Sequence, residues 1–138
     1  MPAEHVARVV IAVALASACP QARVDAVDVN ERALALCATN ADRHGVGDRV
    51  QPLLPEAVDA TVRYDEIWSN PPIRIGKEKL HELLLTWLPR LRPGGVARLV
   101  VGRNLGADSL QSWLNSMGYR CDRVASAKVF RVFSVITE

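Results

Sequence analysis

Residues 64–88, "YDEIWSNPPIRIGKEKLHELLLTWL", contain a strand, a stiff loop and a helix in direct succession. The largely apolar run at 64–69 predicts the strand. Two consecutive prolines then end it, because proline has no backbone N–H to donate and its φ is fixed. Leucine and tryptophan recur at three- and four-residue spacing over 77–91, which predicts an amphipathic helix. The stretch therefore predicts a β–loop–α unit with a rigid turn at its centre.

Strands and helices alternate on both sides of this unit. Helices are predicted at 6–18, 31–45, 77–91 and 107–118, and strands at 22–29, 49–54, 64–69, 96–101, 119–126 and 129–137. A strand remains an alternative for 6–13, Asn30 is the predicted N-cap, and 92–95 is a predicted turn. Pro52 restricts the strand at 49–54 to an edge. The order is typical of the α/β class, with a doubly wound sheet that closes in an antiparallel hairpin.

Length and composition restrict the class of protein. A chain of 138 residues with 49% apolar residues predicts a single domain, 1–138, that buries its own core. The formal net charge of +2 is too small to argue for nucleic-acid binding by itself. Three cysteines without metal-ligand spacing predict reduced thiols in a cytoplasmic protein and no metal site. The N-terminal segment is apolar like a signal peptide, but Glu4 and the sparse positive charge argue against one.

Acidic residues follow two of the predicted strands. In doubly wound sheets, ligands bind at the carboxyl ends of the strands, so Asp28 is placed to accept hydrogen bonds from a ribose diol. The alternative is a solvated acid favoured by the helix dipole. Asp25 competes for the same role but lies inside the strand. Glu56 follows the next strand and is either an adenine contact or a plain loop acid.

The loop at 69–77 offers acceptors on a stiff backbone. The side-chain carbonyl of Asn70 and the main-chain carbonyl of Pro71 can converge on a substrate –NH₂ group and position it. The alternative is a simple turn that ends the strand, since the dipeptide Asn-Pro often marks a turn. Arg74 and Lys77 flank the start of the next helix and suit a phosphate, or else form a solvated basic loop. Arg103 would join the same rim.

Two histidines and the three tryptophans are predicted to have structural roles and not to bind a ligand. His44 and His81 lie in predicted helices with no evident partner and are interpreted as structural or surface residues. The three tryptophans, Trp68, Trp87 and Trp113, fit core positions better than stacking platforms for a ligand.

These residues carry a resemblance to a known family. The segments "VDAVDVNERALALCATNA" (24–41), "YDEIWSNPPIRIGKEKLHELLLTWLPRLRPGG" (64–95) and "LVVGRNLGADSLQSWL" (99–114) resemble S-adenosylmethionine-dependent methyltransferases of the small-domain class. The likeness runs from about residue 9 to the C-terminus and is greatest to RsmC-type 16S ribosomal RNA guanine-N2 methyltransferases. It implies a Rossmann-like sheet and the cofactor S-adenosylmethionine. The Asn-Pro-Pro motif implies methylation of a nitrogen, but it serves DNA, RNA, protein and small-molecule substrates alike.

The resemblance also implies roles for single residues. Asp28 would hold the cofactor ribose, and Glu56 would lie near the adenine. Asn70 would line the cofactor pocket and, with the Pro71 carbonyl, grip the amine for an in-line displacement. The implied substrate is a guanine amine in ribosomal RNA, with RNA or a ribosomal subunit as partner. The alternatives are a small molecule or a protein glutamine, or a catalytically impaired RNA-binding or assembly module.

Pro72, Ile73, Arg74 and Lys77 are the implied substrate-binding residues. Many members of the family carry an aromatic residue after the prolines, which stacks on a flipped base. Ile73 occupies that position here and offers a weaker apolar platform.

A larger departure concerns the N-terminus. The family begins with a strand that ends in an acid and a glycine-rich turn, but here no glycine precedes Gly45 and only "MPAEHVARV" precedes the first helix. The first strand is therefore expected to be missing or remodelled. The expectation favours a truncated chain or a misassigned start, and the alternatives are a substitute strand with a shortened helix or a domain that has lost cofactor binding.

Overall fold

A computed structural model describes residues 3–69, 76–102, 107–126 and 130–137 of the chain, which divides into two compact units, residues 1–68 and 69–138. The elements are β1 (Ala3–Arg8), α1 (Val9–Ala18), β2 (Ala22–Val27), α2 (Glu31–Arg43), β3 (Val50–Leu53), β4 (Tyr64–Ser69), α3 (Lys77–Trp87), β5 (Leu91–Gly102), α4 (Ala107–Ser116), β6 (Tyr119–Ser126) and β7 (Phe130–Thr137). Strands and helices alternate as predicted, and two consecutive strands end the chain.

Four parallel strands form the sheet of the first unit, in the order β3-β2-β1-β4. β1 lies between β2 and β4 and pairs with both. β3 pairs with β2, and Pro52 lies opposite Ala26 in that ladder. Proline is tolerated in an edge strand because its missing N–H can face away from the neighbouring strand.

β1 overturns the expectation of a missing first strand. Residues 3–8 occupy the position between β2 and β4, and α1 begins at Val9, not at residue 6 as predicted. The physical reason is that the facing backbone groups of β2 and β4 need hydrogen-bond partners, which this segment supplies. The structure thus agrees with a substitute strand followed by a shortened helix.

The core of the first unit consists largely of small side chains. α1, β2 and α2 contribute most of it, and its buried members are Ala12, Leu15, Ala16, Val24, Ala26, Cys37, Ala41, Val46 and Val50. Alanines let helices approach the sheet closely. The predicted N-cap of α2 is confirmed, because the Asn30 side-chain oxygen accepts hydrogen bonds from the backbone N–H groups of Arg32 (2.9 Å) and Ala33 (3.3 Å).

The second unit contains the antiparallel strands β5, β7 and β6, with β7 in the middle. Two polar side chains of α4 form hydrogen bonds with the backbone of β6. The Asn115 side-chain oxygen accepts from the Cys121 N–H at 2.9 Å, and the Gln111 amide donates to the Cys121 carbonyl at 3.1 Å. The antiparallel C-terminal pair is therefore confirmed, while the connection near residues 127–128 lies outside the described residues.

Two boundaries in the second unit differ from the predictions. α3 ends at Trp87 and a 3₁₀ turn covers 88–90, because Pro89 lacks the N–H that would continue the helix. The predicted turn at 92–95 is wrong, since β5 begins at Leu91 and runs through it. Gly94 takes a φ of +84°, a backbone conformation that glycine adopts without steric cost. β5 can therefore continue through the Pro-Gly-Gly sequence at 93–95.

No helix in the described ranges is long and apolar enough to cross a membrane.

Candidate functional site

Asp28 lies where the sequence placed it, directly after β2 at the carboxyl end of the parallel sheet. Its backbone N–H donates to the carbonyl oxygen of Leu53 at 3.2 Å, so the ends of β2 and β3 are level. Its carboxylate oxygen Oδ1 accepts the backbone N–H of Asn30 at 2.9 Å. The side chain is half-buried. This local turn orients the carboxylate of Asp28 at the carboxyl end of the parallel strands, next to the position of β1.

Asp25, the competing acid, is engaged elsewhere. Its Oδ2 accepts a hydrogen bond of 2.7 Å from the hydroxyl of Tyr64, which is only 1% exposed. This bond joins β2 to β4, the two strands that flank β1. Asp25 therefore has a structural role inside the sheet, and Asp28 is the acid that remains at the strand end.

Glu56 lies in a 3₁₀ turn, Pro55–Ala57, that follows β3. Its side chain is exposed. Because β2 and β3 are parallel neighbours, Glu56 and Asp28 belong to the same edge of the sheet. Asp28 and Glu56, the two acids that the sequence predicted for an adenosine group, therefore follow neighbouring strands on one edge of the sheet.

The residues predicted to hold the substrate are Asn70, Pro71, Pro72, Ile73 and Arg74, and all five, with Arg103, lie outside the described residues. The described chain leads to them from both sides. β4 runs parallel to β1 and ends at Ser69, so its carboxyl end points to the same edge as Asp28. Lys77 is exposed and is the first residue of α3.

The connection between β1 and α1 is the point at which the site differs from the expected pattern. β1 ends at Arg8 and α1 begins at Val9, so no residue stands between them to form a glycine-rich turn. Asp28 and Glu56 follow β2 and β3, at the carboxyl ends of these strands. The glycine cradle expected for the methionine part of S-adenosylmethionine is not present at the end of β1.

Two buried thiols are excluded as nucleophiles. Burial raises the pKa of Cys37, and burial together with the carboxylate of Asp122 raises the pKa of Cys121 to about 11. Both thiols therefore stay protonated near neutral pH. Among the described residues, no group of three or more histidine, cysteine or acidic side chains is arranged to hold a metal ion.

Sequence reasoning missed a contact between two aromatic side chains. His81 on α3 stacks on Trp113 on α4, with ring centroids 3.6 Å apart and planes inclined by 5°. The sequence analysis gave both residues structural roles, but it did not predict that they contact each other. Helical spacing shows which residues share a face of one helix, but it does not show which two helices are neighbours.

Comparison with protein families gives a match over nearly the whole chain. The family described as "methyltransferase small domain" matches residues 9–134. Among curated proteins, the chain is 33% identical over 101 residues to the uncharacterized protein YbxB of Bacillus subtilis, covering 72% of this chain and 50% of that protein. It is 47% identical over 74 residues to the release factor glutamine methyltransferase of Bordetella pertussis, covering 51% and 26%. The chain thus spans half or less of the length of these relatives.

Solved structures share the fold at low sequence identity. The ribosomal protein L11 methylase from Lactobacillus delbrueckii subsp. bulgaricus aligns with a TM-score of 0.77 at 17% identity, over 100% of this chain and 71% of that one. A precorrin-6y C5,15-methyltransferase from Geobacter metallireducens aligns with a TM-score of 0.75 at 16% identity, over 99% and 80%. The N-terminal domain of human METTL16 in complex with SAH aligns with a TM-score of 0.69 at 13% identity, over 99% and 62%. These matches confirm the predicted Rossmann-like α/β fold.

Proposed function

Because this chain belongs to the methyltransferase small domain family, we propose that it transfers a methyl group from S-adenosylmethionine to the nitrogen of a substrate –NH₂ group. The observation that carries the proposal is the placement of Asp28 after β2 and of the Asn-Pro-Pro sequence after β4, on strands that flank β1 in one parallel sheet. Ligands of such sheets bind at the carboxyl ends of the strands. S-adenosylmethionine supplies a methyl group on a positively charged sulfur.

The residues of the chain have separate tasks in this proposal. Asp28 accepts hydrogen bonds from the ribose hydroxyls, and Glu56 lies toward the adenine. The side-chain carbonyl of Asn70 and the main-chain carbonyl of Pro71 accept the two N–H groups of the substrate amine and direct its lone pair away from themselves. The contribution is one of orientation, so no side chain has to act as a nucleophile.

The substrate belongs to the class of planar –NH₂ groups, either a protein glutamine amide or the exocyclic amine of a guanine. The glutamine amide is favoured by the names of the relatives, since the proteins from Bordetella pertussis and Neisseria gonorrhoeae are a release factor glutamine and a ribosomal protein uL3 glutamine methyltransferase. The guanine in ribosomal RNA is favoured by the RsmC-type resemblance. Arg74 and Lys77 would then contact phosphate groups, and Ile73 would support the base.

A second candidate function is RNA binding or assembly without efficient methyl transfer. The observation behind it is the direct succession of β1 and α1, which leaves no glycine-rich turn for the cofactor. This candidate predicts RNA binding that weakens as salt rises and does not depend on cofactor.

Transfer of tritiated methyl groups tests both candidates. The chain is incubated with labelled S-adenosylmethionine and, separately, with ribosomal subunits, free ribosomal RNA, release factors and ribosomal proteins. Label in protein supports the glutamine substrate, and label in RNA supports guanine. Absence of label in every arm, together with no cofactor binding by calorimetry, would exclude the methyltransferase proposal and leave the RNA-binding candidate.

A matched pair of variants tests the role of Asn70. Asn70→Ala is expected to abolish methyl transfer while cofactor affinity stays nearly unchanged. Asn40→Ala, on the exposed side of α2, is the control and is expected to retain activity. An equal loss of cofactor affinity and activity in Asn70→Ala would contradict the proposed role.

A further inference from the structure

A cavity of about 560 Å³ lies in the first unit, at the ends where β2, β3 and β4 begin. The charged and amide side chains that line it are Arg23, Asp25, Asp48, Arg49 and Gln51. Arg23 is the second residue of β2, whereas Asp28 follows the last residue of that strand. Five residues of an extended strand span roughly 16 Å, so the cavity is separate from the edge proposed for the cofactor. Its volume lies in the range of pockets that bind small molecules.

Three of the lining side chains project from one face of the sheet. The buried side chains of β2 and β3 pack with α1 and α2, and side chains alternate between the two faces along a strand. Arg23, Asp25 and Gln51 therefore project from the face opposite these helices. Arg23 and Gln51 are exposed, and Asp25 is half-buried. Parallel sheets usually have both faces covered, but here the beginnings of β2 and β3 present polar groups that a ligand can reach.

The guanidinium of Arg49 is fixed in place and still has donors available. Its Nη1 atom donates to three backbone carbonyls at the end of α1 and the start of β2, at 3.0–3.1 Å. Within the described ranges, its Nε and Nη2 atoms make no hydrogen bond, and neither is fully buried. Arg49 therefore offers a preorganised donor group to a ligand in the cavity.

Arg23 lies beside Arg49 on the neighbouring strand. The backbone N–H of Val24 donates to the carbonyl oxygen of Arg49 at 2.8 Å, and Val24 pairs with Val50. The side chain of Arg23 makes no hydrogen bond or ion pair in the described part of the chain. Like charges at adjacent positions are unfavourable, and an anion between them removes the repulsion. A single guanidinium fork satisfies a carboxylate, whereas the terminal oxygens of a phosphate can accept from two guanidiniums at once.

Two carboxylates also line the cavity, but their charges are compensated or screened. The Oδ2 atom of Asp25 accepts a hydrogen bond of 2.7 Å from the hydroxyl of Tyr64. Asp48 is exposed, so water and salt screen its charge. The two guanidiniums therefore dominate the charge that a ligand meets.

We propose that this cavity binds the phosphate group of a nucleotide-sized molecule through the guanidiniums of Arg23 and Arg49. The cavity is much larger than a phosphate ion, which leaves room for the organic part of the ligand. The exposed amide of Gln51 supplies a further hydrogen-bond donor and acceptor for that part. This site is a second one, and it does not depend on methyl transfer.

Titration calorimetry with inorganic phosphate, uridine 5′-monophosphate and uridine tests the site. The wild type is expected to bind the nucleotide most tightly, inorganic phosphate more weakly and uridine not detectably. Inorganic phosphate that binds as tightly as the nucleotide would also support the site and would identify the free ion as its ligand. Absence of binding by both phosphate compounds at millimolar concentration would overturn the proposal, as would uridine binding as tight as that of its monophosphate.

A matched pair of arginine variants tests the assignment to this cavity. Arg23→Met is expected to raise the Kd for uridine 5′-monophosphate by roughly three- to tenfold, since Arg23 is exposed and its ionic hydrogen bonds are partly screened. Arg32→Met removes an exposed positive charge in the first turn of α2, beyond the opposite end of β2, and is expected to keep the wild-type Kd. Equal weakening in both variants would show that only net charge matters and would overturn the site.

The backbone amide signals in NMR spectra locate the bound nucleotide. Addition of uridine 5′-monophosphate to the wild type is expected to shift the amide signals of Arg23 and Gln51. Shifts confined to Asp28 and Asn30 would place the nucleotide at the opposite end of β2 and would overturn the proposal. This readout does not use methyl transfer, so it separates a failure of the second site from a failure of the proposed function.

Discussion

The hydroxyl of Tyr64 donates a hydrogen bond of 2.7 Å to the Oδ2 atom of Asp25. Tyr64 begins β4 and Asp25 lies within β2, so the bond joins the two strands on either side of β1. A carboxylate inside a sheet is stabilised when it accepts such bonds. The bond also separates two acids that are three residues apart in sequence, because it engages Asp25 in the sheet and leaves Asp28 at the edge.

Tyr64→Phe is expected to destabilise the chain without changing cofactor binding. A hydrogen bond to a charged group contributes about 1.5–3 kcal/mol, so the free energy of unfolding in urea should fall by about that amount. Tyr119→Phe, at a half-buried position of β6, is a matched control with a smaller expected effect. A Tyr64→Phe variant as stable as the wild type would contradict the role assigned to this bond.

Asp28→Asn is expected to weaken S-adenosylmethionine binding while the local turn is retained. The asparagine oxygen can still accept the Asn30 N–H, but the charge that strengthens a bond to the ribose is lost. One charge-assisted hydrogen bond corresponds to a change of about ten- to a hundredfold in Kd, measured by calorimetry. Asp48→Asn, an exposed acid in the turn before β3, serves as the control. Equal affinity in both variants would remove Asp28 from the site.

Arg49 is expected to be a major stabilising residue of the first unit. Its Nη1 atom donates to the carbonyl oxygens of Ala16 (3.0 Å), Cys19 (3.1 Å) and Ala22 (3.0 Å), which lie at the end of α1 and the start of β2. Arg49→Met leaves these partly buried carbonyls without this donor.

Urea denaturation should show a loss of about 1.5–3 kcal/mol for Arg49→Met. Arg23→Met, on the exposed face of β2, should change the free energy of unfolding by less than about 0.5 kcal/mol. Similar losses in the two variants would show that the charge, and not the three hydrogen bonds, matters.

Local features of the fold were predictable because their causes lie within a few residues. Asn30 caps α2 through its own side chain, and Pro52 restricts β3 to an edge through its missing N–H. The alternation of elements followed from hydrophobic spacing. Asp28 was placed correctly because the end of a strand is visible in the sequence pattern.

Two of the misses, β1 and the His81–Trp113 stack, have non-local causes. β1 was predicted only as an alternative, because the six residues "AEHVAR" carry little alternation and their strand conformation is supported by the neighbours β2 and β4. The turn predicted at 92–95 is a strand because Gly94 can adopt a positive φ within it. The His81–Trp113 stack joins two helices, and single-helix periodicity contains no information about their separation.

The three thiols are expected to differ in reactivity. Cys37 and Cys121 are each 1% exposed, and burial raises the pKa of both, that of Cys121 to about 11. Cys19 is half-buried. A disulfide reagent at pH 8 should therefore label one thiol rapidly and the other two only after denaturation. Rapid labelling of Cys121, located by peptide mass spectrometry, would contradict the packing of β6 against α4.

His81 is expected to make stability depend on pH. Burial, and secondarily the charge of Lys77 four residues earlier, lowers its pKa below the ordinary value of 6.5. On α4 the charged side chain is Asp108, which pairs with Arg131. Because the folded state favours the neutral imidazole, its contribution to stability is fully present above about pH 6.5 and is lost as pH falls through the lower folded pKa.

Urea unfolding of the wild type should therefore show a free energy of unfolding that declines from pH 7.5 to pH 5, and protonation of His81 should account for part of the decline. His81→Phe keeps a ring against Trp113 but cannot take up a proton, so its decline should be shallower than that of the wild type. Lys77→Met removes the second cause of the lowered pKa, so the imidazole regains part of its proton affinity in the fold and the decline should be intermediate. Identical slopes for the wild type and His81→Phe would show that the imidazole has the same pKa in the folded and unfolded chain, contrary to its burial between α3 and α4.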